Sequence, residues 1–296
     1  AEIVHEVIDE IAGRPEIDVI RDLAYRIPAA VIMELLGAPR AEIEHFKLWS
    51  DDLSLFIGSS KVTPDKYARA EAAIAQMTAA FRDLVSDRRR QPRHDMISDL
   101  IRAEDEGEVL NEDELIATCV LLLFAGHETT GNLLGTGMYY LTKFPDQLDD
   151  LRRHPELAEQ AVEEILRLDG PNAAVTRVAG EDIDFAGHRI ARGQRVFAMI
   201  NAANRDPDLF TDPHRLDIRR IPPSGTPLGQ LAFGHGVHFC IGAPLARLEG
   251  RIALPIFAER IRQPRLGGGE PEWLDSLSFR GLTRLPLSCE WGERKC

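Results

Sequence analysis

Phe233-Gly234-His235-Gly236-Val237-His238-Phe239-Cys240-Ile241-Gly242 is a glycine-rich loop that hands one cysteine to the start of a helical stretch, Ala243 to Ile261. A thiolate is favoured at such a place, because the first NH groups of a helix are unpaired and carry its positive end. Gly234, Gly236 and Gly242 allow positive φ angles and a close approach of backbone to a flat ligand. Three other readings compete. A lone cysteine is usually an inert buried one, but the glycines and the two aromatic neighbours weigh against that here. His235, His238 and Cys240 lack the distant second ligand pair of a structural zinc site. A dinucleotide loop needs a third glycine where Phe239 stands, and a parallel-sheet unit that is not there.

Working outward, most of the chain before this loop reads as helix. Apolar residues recur at helical spacing through Ile3 to Ile11, and Pro28 with Gly37 brackets a short helix. Thr63 before Pro64 has the form of a helix start, predicting a helix to about Arg90 that ends in a basic, solvated loop, Arg88 to Arg93. Asn111 with Glu114 makes a capping-box signature for the longest helix, running to Lys143 ahead of Pro145. Helices Pro145 to Arg153 and Pro155 to Leu168 follow, closed by Gly170 and Pro171. Val175 to Ile200 alternates apolar and polar residues with Gly187 and Gly193 as turns, a hairpin system. Asn204 to Gly229 is an ordered loop, and the tail from Gly267 is loop with short strands. The expected fold class is mainly α with a minor β-sheet, in a single domain spanning residues 1–296.

Two helical segments carry chemistry-bearing side chains. In Ala125-Gly-His-Glu-Thr-Thr130, Gly126 and Thr129 or Thr130 lie one turn apart, giving a notch with a hydroxyl beside it and the acid Glu128 next to that. Packing through small residues is the commoner reason for an Ala-Gly pair. In Glu164-Ile-Leu-Arg167 an acid and an arginine share one helix face, a pattern that alone means little.

Bulk properties narrow the function classes. The 296 residues are 44% hydrophobic and 28% charged, ordinary for a globular protein. The formal charge of -13 repels phosphate backbones and anionic lipid, so nucleic acid is not an expected partner. Cys119, Cys240, Cys289 and Cys296 lie far apart, which fits a reducing cytoplasm better than a disulfide scaffold. The longest apolar run, Leu115 to Gly126, falls short of the roughly 18 residues a membrane span needs. The chain opens inside an amphipathic helical pattern with no methionine, as if upstream sequence preceded it.

The cysteine loop matches the pattern Phe-x-x-Gly-x-x-x-Cys-x-Gly and resembles the ligand loop of the cytochrome P-450 family, of the soluble bacterial type. The resemblance implies the fold of that family, N-terminally incomplete, because roughly the first quarter of the domain has no counterpart here. It implies haem b (iron protoporphyrin IX) as cofactor, with the Cys240 thiolate as the iron's protein ligand and its electron donation favouring dioxygen cleavage. Phe233, Gly234, Gly242, Ala125 and Gly126 then line the haem site, and Arg177 and His238 match its propionate contacts. Glu128 and Thr129 match the acid and alcohol of the dioxygen groove, Thr129 hydrogen-bonding dioxygen and Glu128 relaying protons. Glu164, Arg167 and Arg215 match an ion network behind the haem, and Leu216 stands where the family commonly has phenylalanine.

The implied activity is that of a mono-oxygenase that hydroxylates or epoxidises a hydrophobic small molecule. Its pocket walls would include Leu122, Asn172, Ala173, Ala174, Val175, Phe279 and Leu282. The electron donor would be a ferredoxin or flavoprotein, docking near Arg247 and Arg251. A peroxide-using relative would not need Glu128 and Thr129; a non-catalytic haem-binding fragment is the other alternative.

Overall fold

The computed structural model describes residues 1–58, 63–105, 110–221 and 229–294. In chain order these form α1 (Glu2–Asp9), β1 (Glu16–Asp18), a π turn (Ile20–Ala24), α2 (Arg26–Leu36), α3 (Ile43–Gly58), α4 (Lys66–Arg90) and α5 (Met96–Asp105). Then come α6 (Glu112–Lys143), α7 (Pro145–Arg153), α8 (Ala158–Asp169), β2 (Ala174–Val178), β3 (Ile183–Phe185), β4 (His188–Ile190), β5 (Arg195–Met199) and α9 (Ile200–Ala203). The last elements are α10 (Ala243–Arg260), β6 (Ile261–Leu266), β7 (Glu272–Trp273), β8 (Leu282–Arg284) and β9 (Pro286–Trp291).

The 32-residue α6 organises the molecule. Its capping box forms in full: the Asn111 side chain accepts from the Glu114 NH at 3.0 Å, and Glu114 accepts from the Asn111 NH at 2.9 Å. The first turns of α6 bury Leu115, Ile116, Cys119 and Leu123 in one apolar core, with Met33, Phe46, Met77 and Phe81 from α2, α3 and α4. Its last turns bury Leu133, Leu134, Met138 and Leu141 in a second core, with residues of α1, α7, α8 and α10. Ala125 to Asn132 belongs to neither core, so the helix crosses a seam there.

Small residues let neighbours close on α6. A Cβ at Gly126 would stand 3.0 Å from Ile32 of α2, and one at Gly135 would stand 2.4 Å from Ile20. Gly126 therefore serves helix packing, the commoner explanation for such a residue, and it also faces the seam.

Sheets are small. The three-stranded one has the order β1-β9-β6, antiparallel, with Ile17 opposite Leu287; it ties the beginning of the described chain to its end. β2 pairs β5 with Arg177 opposite Val196, and β3 pairs β4, which is the expected hairpin system. β7 pairs β8 in the tail.

Three expectations are corrected. Thr63 and Pro64 do not start α4; it begins at Lys66, after Asp65 in the left-handed conformation (φ 60°) with no side-chain cap. The basic run is not all solvated: Arg88 is 3% exposed, with its Nε donating to Asp95 at 2.5 Å and Nη2 to the Gly37 carbonyl at 2.6 Å. Pro155 to Leu157 is a 3-10 turn ahead of α8 rather than its first turn. Residues 222–228 of the loop expected over Asn204 to Gly229, and Cys296, lie outside the described residues. Among the described residues no helix is long and apolar enough to cross a membrane.

Candidate active site

A cavity of ≈ 290 Å³ opens at the seam of α6. One wall is α6, with Ala125, Gly126, Glu128 and Thr129; the facing wall is the cysteine loop and the start of α10, with Phe233, Cys240, Gly242, Leu245 and Ala246. The loop gets its shape from Gly234 (φ 75°) and Gly236 (φ 79°), which side chains with a Cβ rarely adopt, whereas Gly242, expected to share that conformation, is the right-handed N-cap of α10 (φ -80°). Two backbone hydrogen bonds fold it back: Phe239 NH to the Gly236 carbonyl and Cys240 NH to the Phe233 carbonyl, each 3.0 Å. Pro244 in the first turn of α10 gives up no helical hydrogen bond, and the sulfur of Cys240 lies 3.8 Å from where a Cβ would stand on Gly242, the N-cap of that helix.

On the other wall, the Thr129 hydroxyl donates to the Ala125 carbonyl at 3.0 Å, so it is anchored one turn back along α6. Glu128 is held among groups of α3. Burial lifts its carboxyl from 4.5 to about 7, the Asp51 carboxylate adds to the lift, and Lys47 and a hydrogen bond from Ser54 oppose it. Lys47 itself pairs with Asp51 at 2.6 Å. The neighbouring His127 lines neither this cavity nor the one beside it. It is 1% exposed and held neutral by burial, with Nδ1 donating to the Leu123 carbonyl at 2.7 Å and its ring edge-on to Tyr25.

A second cavity of ≈ 490 Å³ adjoins the first, and Ser54, Glu128, Asn132 and Phe279 line both. Among the expected substrate-contacting residues, Asn172 and Phe279 line the first cavity and Leu282 the second. Leu122 packs instead against the first core, Ala174 and Val175 pair with β5, the backbone of Ala173 bonds to Ser278 and Asn201, and none of the three lines either cavity. Ser54, Lys47 and Asp51 were not legible in the sequence as site residues, because α3 carries no motif and reaches Glu128 only through tertiary packing.

The ion network behind the loop differs from expectation in one member. Glu164 is 4% exposed and takes Arg167 in a two-pronged pair, Nε at 2.7 Å and Nη2 at 2.9 Å. The third member is Arg220, whose Nε lies 3.0 and 3.1 Å from the two carboxylate oxygens, with the Asp217 NH adding a bond at 3.0 Å. Arg215 supplies only its carbonyl to this network; its side chain, 58% exposed, reaches Asp146 at 3.2 Å. The chain turns between Arg215 and Arg220, so that Leu216 and Ile218 enter the core and the second arginine, not the first, folds back on Glu164.

A flat, largely apolar group with a thiolate-binding metal fits between these walls: the lining is mostly apolar, small residues (Ala125, Gly126, Gly242 and Ala246) stand on both facing sides, and the one sulfur donor in it is Cys240. Arg177 and His238 are exposed near-surface groups outside the cavity lining. Arg177 donates only to the Thr176 carbonyl at 2.9 Å and has no carboxylate partner among the described residues. Both remain available to a ligand's carboxylates. Arg247 is less so, being committed to Glu163, whereas Arg251 keeps 49% exposure with Glu159 at 3.8 Å.

Comparison with known proteins agrees with this geometry. The family model described as Cytochrome P450 matches residues 46–262. Putative cytochrome P450 YjiB of Bacillus subtilis (strain 168) is 44% identical over 261 residues, covering 86% of this chain and 63% of that protein. Cytochrome P450 monooxygenase PikC of Streptomyces venezuelae is 42% identical over 292 residues, covering 97% of this chain and 67% of that protein. The crystal structure of P450BioI with an acyl carrier protein superposes with a TM-score of 0.89 at 38% identity, over 98% of this chain and 73% of that one. The chain thus spans about two thirds of the length of the curated relatives it matches. Cysteine loop, seam cavity, family match and superposition agree: the chain belongs to the cytochrome P450 family, whose cofactor is a haem held by a cysteine thiolate.

Proposed function

We propose that the protein is a mono-oxygenase that consumes one dioxygen, two electrons and two protons to hydroxylate or epoxidise a hydrophobic small molecule, releasing water. The observation that carries this reading is the single cavity that sets Cys240 opposite Glu128 and Thr129. Bound haem supplies the oxidising chemistry; the chain's residues hold it and manage protons. Cys240 offers the thiolate, and Arg177 and His238 offer donors to carboxylates at the rim. Glu128, balanced near neutrality, can both hold and give up a proton, and it borders the second, more polar cavity from which protons are resupplied. The Thr129 hydroxyl, already donating to the Ala125 carbonyl, offers its lone pairs and a movable proton to the same space. The apolar lining, with Leu121, Phe124 and Phe279, suits a hydrophobic substrate.

The names of two relatives, 6-deoxyerythronolide B hydroxylase and Mycinamicin IV hydroxylase/epoxidase, support both reaction types. A ferredoxin or flavoprotein is the proposed electron donor, docking near Arg251, and the cytoplasm is the proposed location. The test is the absorption spectrum of the reduced, carbon-monoxide-treated full-length gene product. The red-shifted band of thiolate ligation is expected, lost in Cys240→Ala and kept in Cys119→Ala, whose sulfur is buried in the core. A band that survives removal of Cys240 overturns the reading.

A further inference from the structure

Behind the cysteine loop lies an ordered charge pair, Arg247 with Glu163. Arg247 of α10 lays its guanidinium over the Phe233 ring, 4.4 Å from the centroid. Its Nε and Nη2 donate to Glu163 of α8 at 2.6 and 3.1 Å, and Gln230 donates to the same carboxylate at 3.1 Å. The Phe233 carbonyl in turn accepts from the Cys240 NH. Glu163, Arg247, Phe233 and Cys240 therefore form a run of contacts from α8 to the backbone of the cysteine loop. The pair is mostly withdrawn from solvent, with 27% of the Arg247 side chain and 31% of the Glu163 side chain exposed, so its field is less screened than that of a surface pair. The guanidinium is held charged first by its hydrogen bonds to Glu163 and then by the charge of that carboxylate.

We propose that Arg247 is a positioning residue that sets the reduction potential of the group held on Cys240, its fixed cation offsetting the electron donation of the thiolate while Glu163 limits that offset. The inference rests on Cys240 being the metal's ligand. A cation packed on the loop that carries the sulfur favours the reduced state, which carries one more electron, and an anion disfavours it. Arg247 also packs Phe233 against the loop, so a purely mechanical role is the rival, and electron-donor docking is a second one.

The signs separate them. Midpoint potentials of the haem-loaded, full-length protein are measured by spectroelectrochemical titration for the parent, Arg247→Gln, Glu163→Gln and Arg247→Lys. Arg247→Gln is expected to shift the equilibrium toward the oxidised form by about threefold or more, and Glu163→Gln toward the reduced form by a similar factor. Arg247→Lys, which keeps the charge and loses the flat stack, is expected to stay near the parent. Midpoints that move in the same direction in both glutamine variants indicate a loosened loop and overturn the proposal. So do unchanged midpoints accompanied only by a slower, salt-dependent reduction by the donor. The carbon-monoxide band of each sample is the separate check on Cys240: a parent lacking that band refutes the ligand assignment, whereas a retained band with unmoved midpoints refutes only the role of Arg247.

Discussion

Glu128 borders two cavities at once, and its chemistry follows from what each offers. The first supplies apolar walls and the Thr129 hydroxyl; the second supplies Lys47 and Asp51. Burial lifts its carboxyl to about 7, so the folded protein keeps a proton that the unfolded chain releases above about pH 4.5. The native state therefore binds more protons across that window, and stability must fall as pH rises from about 4.5 through 7. Glu128→Gln deletes this titration. Relative to the parent, the variant is expected to gain about 1–3 kcal/mol between pH 5 and pH 8, measured from denaturant midpoints at both values. A difference between the two proteins that stays constant with pH would mean that Glu128 is not buried as described. Such a loss of stability at neutral pH fits the proposed role of Glu128 in proton transfer better than a role in support.

At the scale of elements, α8 shows what local sequence can and cannot specify. Glu164 and Arg167 are three apart on one helix and had to meet, so their pairing was legible. The third partner was not. Arg215 and Arg220 both sit in a loop without periodicity, and only the burial of Leu216 and Ile218 decides which arginine returns to Glu164. Removing one cation from a buried carboxylate strands charge, whereas an exposed ion pair is worth little. Arg220→Ala is therefore expected to cost about 2–4 kcal/mol, against less than about 1 kcal/mol for Arg215→Ala, by thermal or denaturant unfolding. Equal losses would restore Arg215 to the network. The same contrast runs through the fold. α6 was legible because its cap is local, Asn111 to Glu114, and its end is marked by Pro145. β1 was not, because three residues gain strand identity only from β9 at the far end of the chain. The cysteine loop was legible because its glycines and sulfur are contiguous; Ser54, Lys47 and Asp51 were not, because only packing brings α3 to Glu128.

Across the whole molecule, Phe279 is where the tail acts on the site. Its NH donates to the Ser276 hydroxyl at 3.0 Å, and that hydroxyl donates to the Gly58 carbonyl at the end of α3 at 2.7 Å. The next residue, Arg280, stacks on Trp273 at 3.5 Å and pairs with Asp169, 2% exposed at the end of α8, through Nε at 3.1 Å. A β-bridge to Asn172 adds a fourth hold. Elements from three parts of the chain thus fix one ring on the boundary between the ≈ 290 Å³ and ≈ 490 Å³ cavities. A ring so constrained acts as a partition of defined position, and the size of ligand each side admits depends on it. Phe279→Ala is expected to join the two spaces, so that in a homologous series of apolar ligands the preference moves toward longer members by about tenfold or more in relative affinity. Calorimetric titration of the series against parent and variant measures this. An unaltered order of affinities would place the ligand wholly on one side of the ring and remove Phe279 from the determination of size.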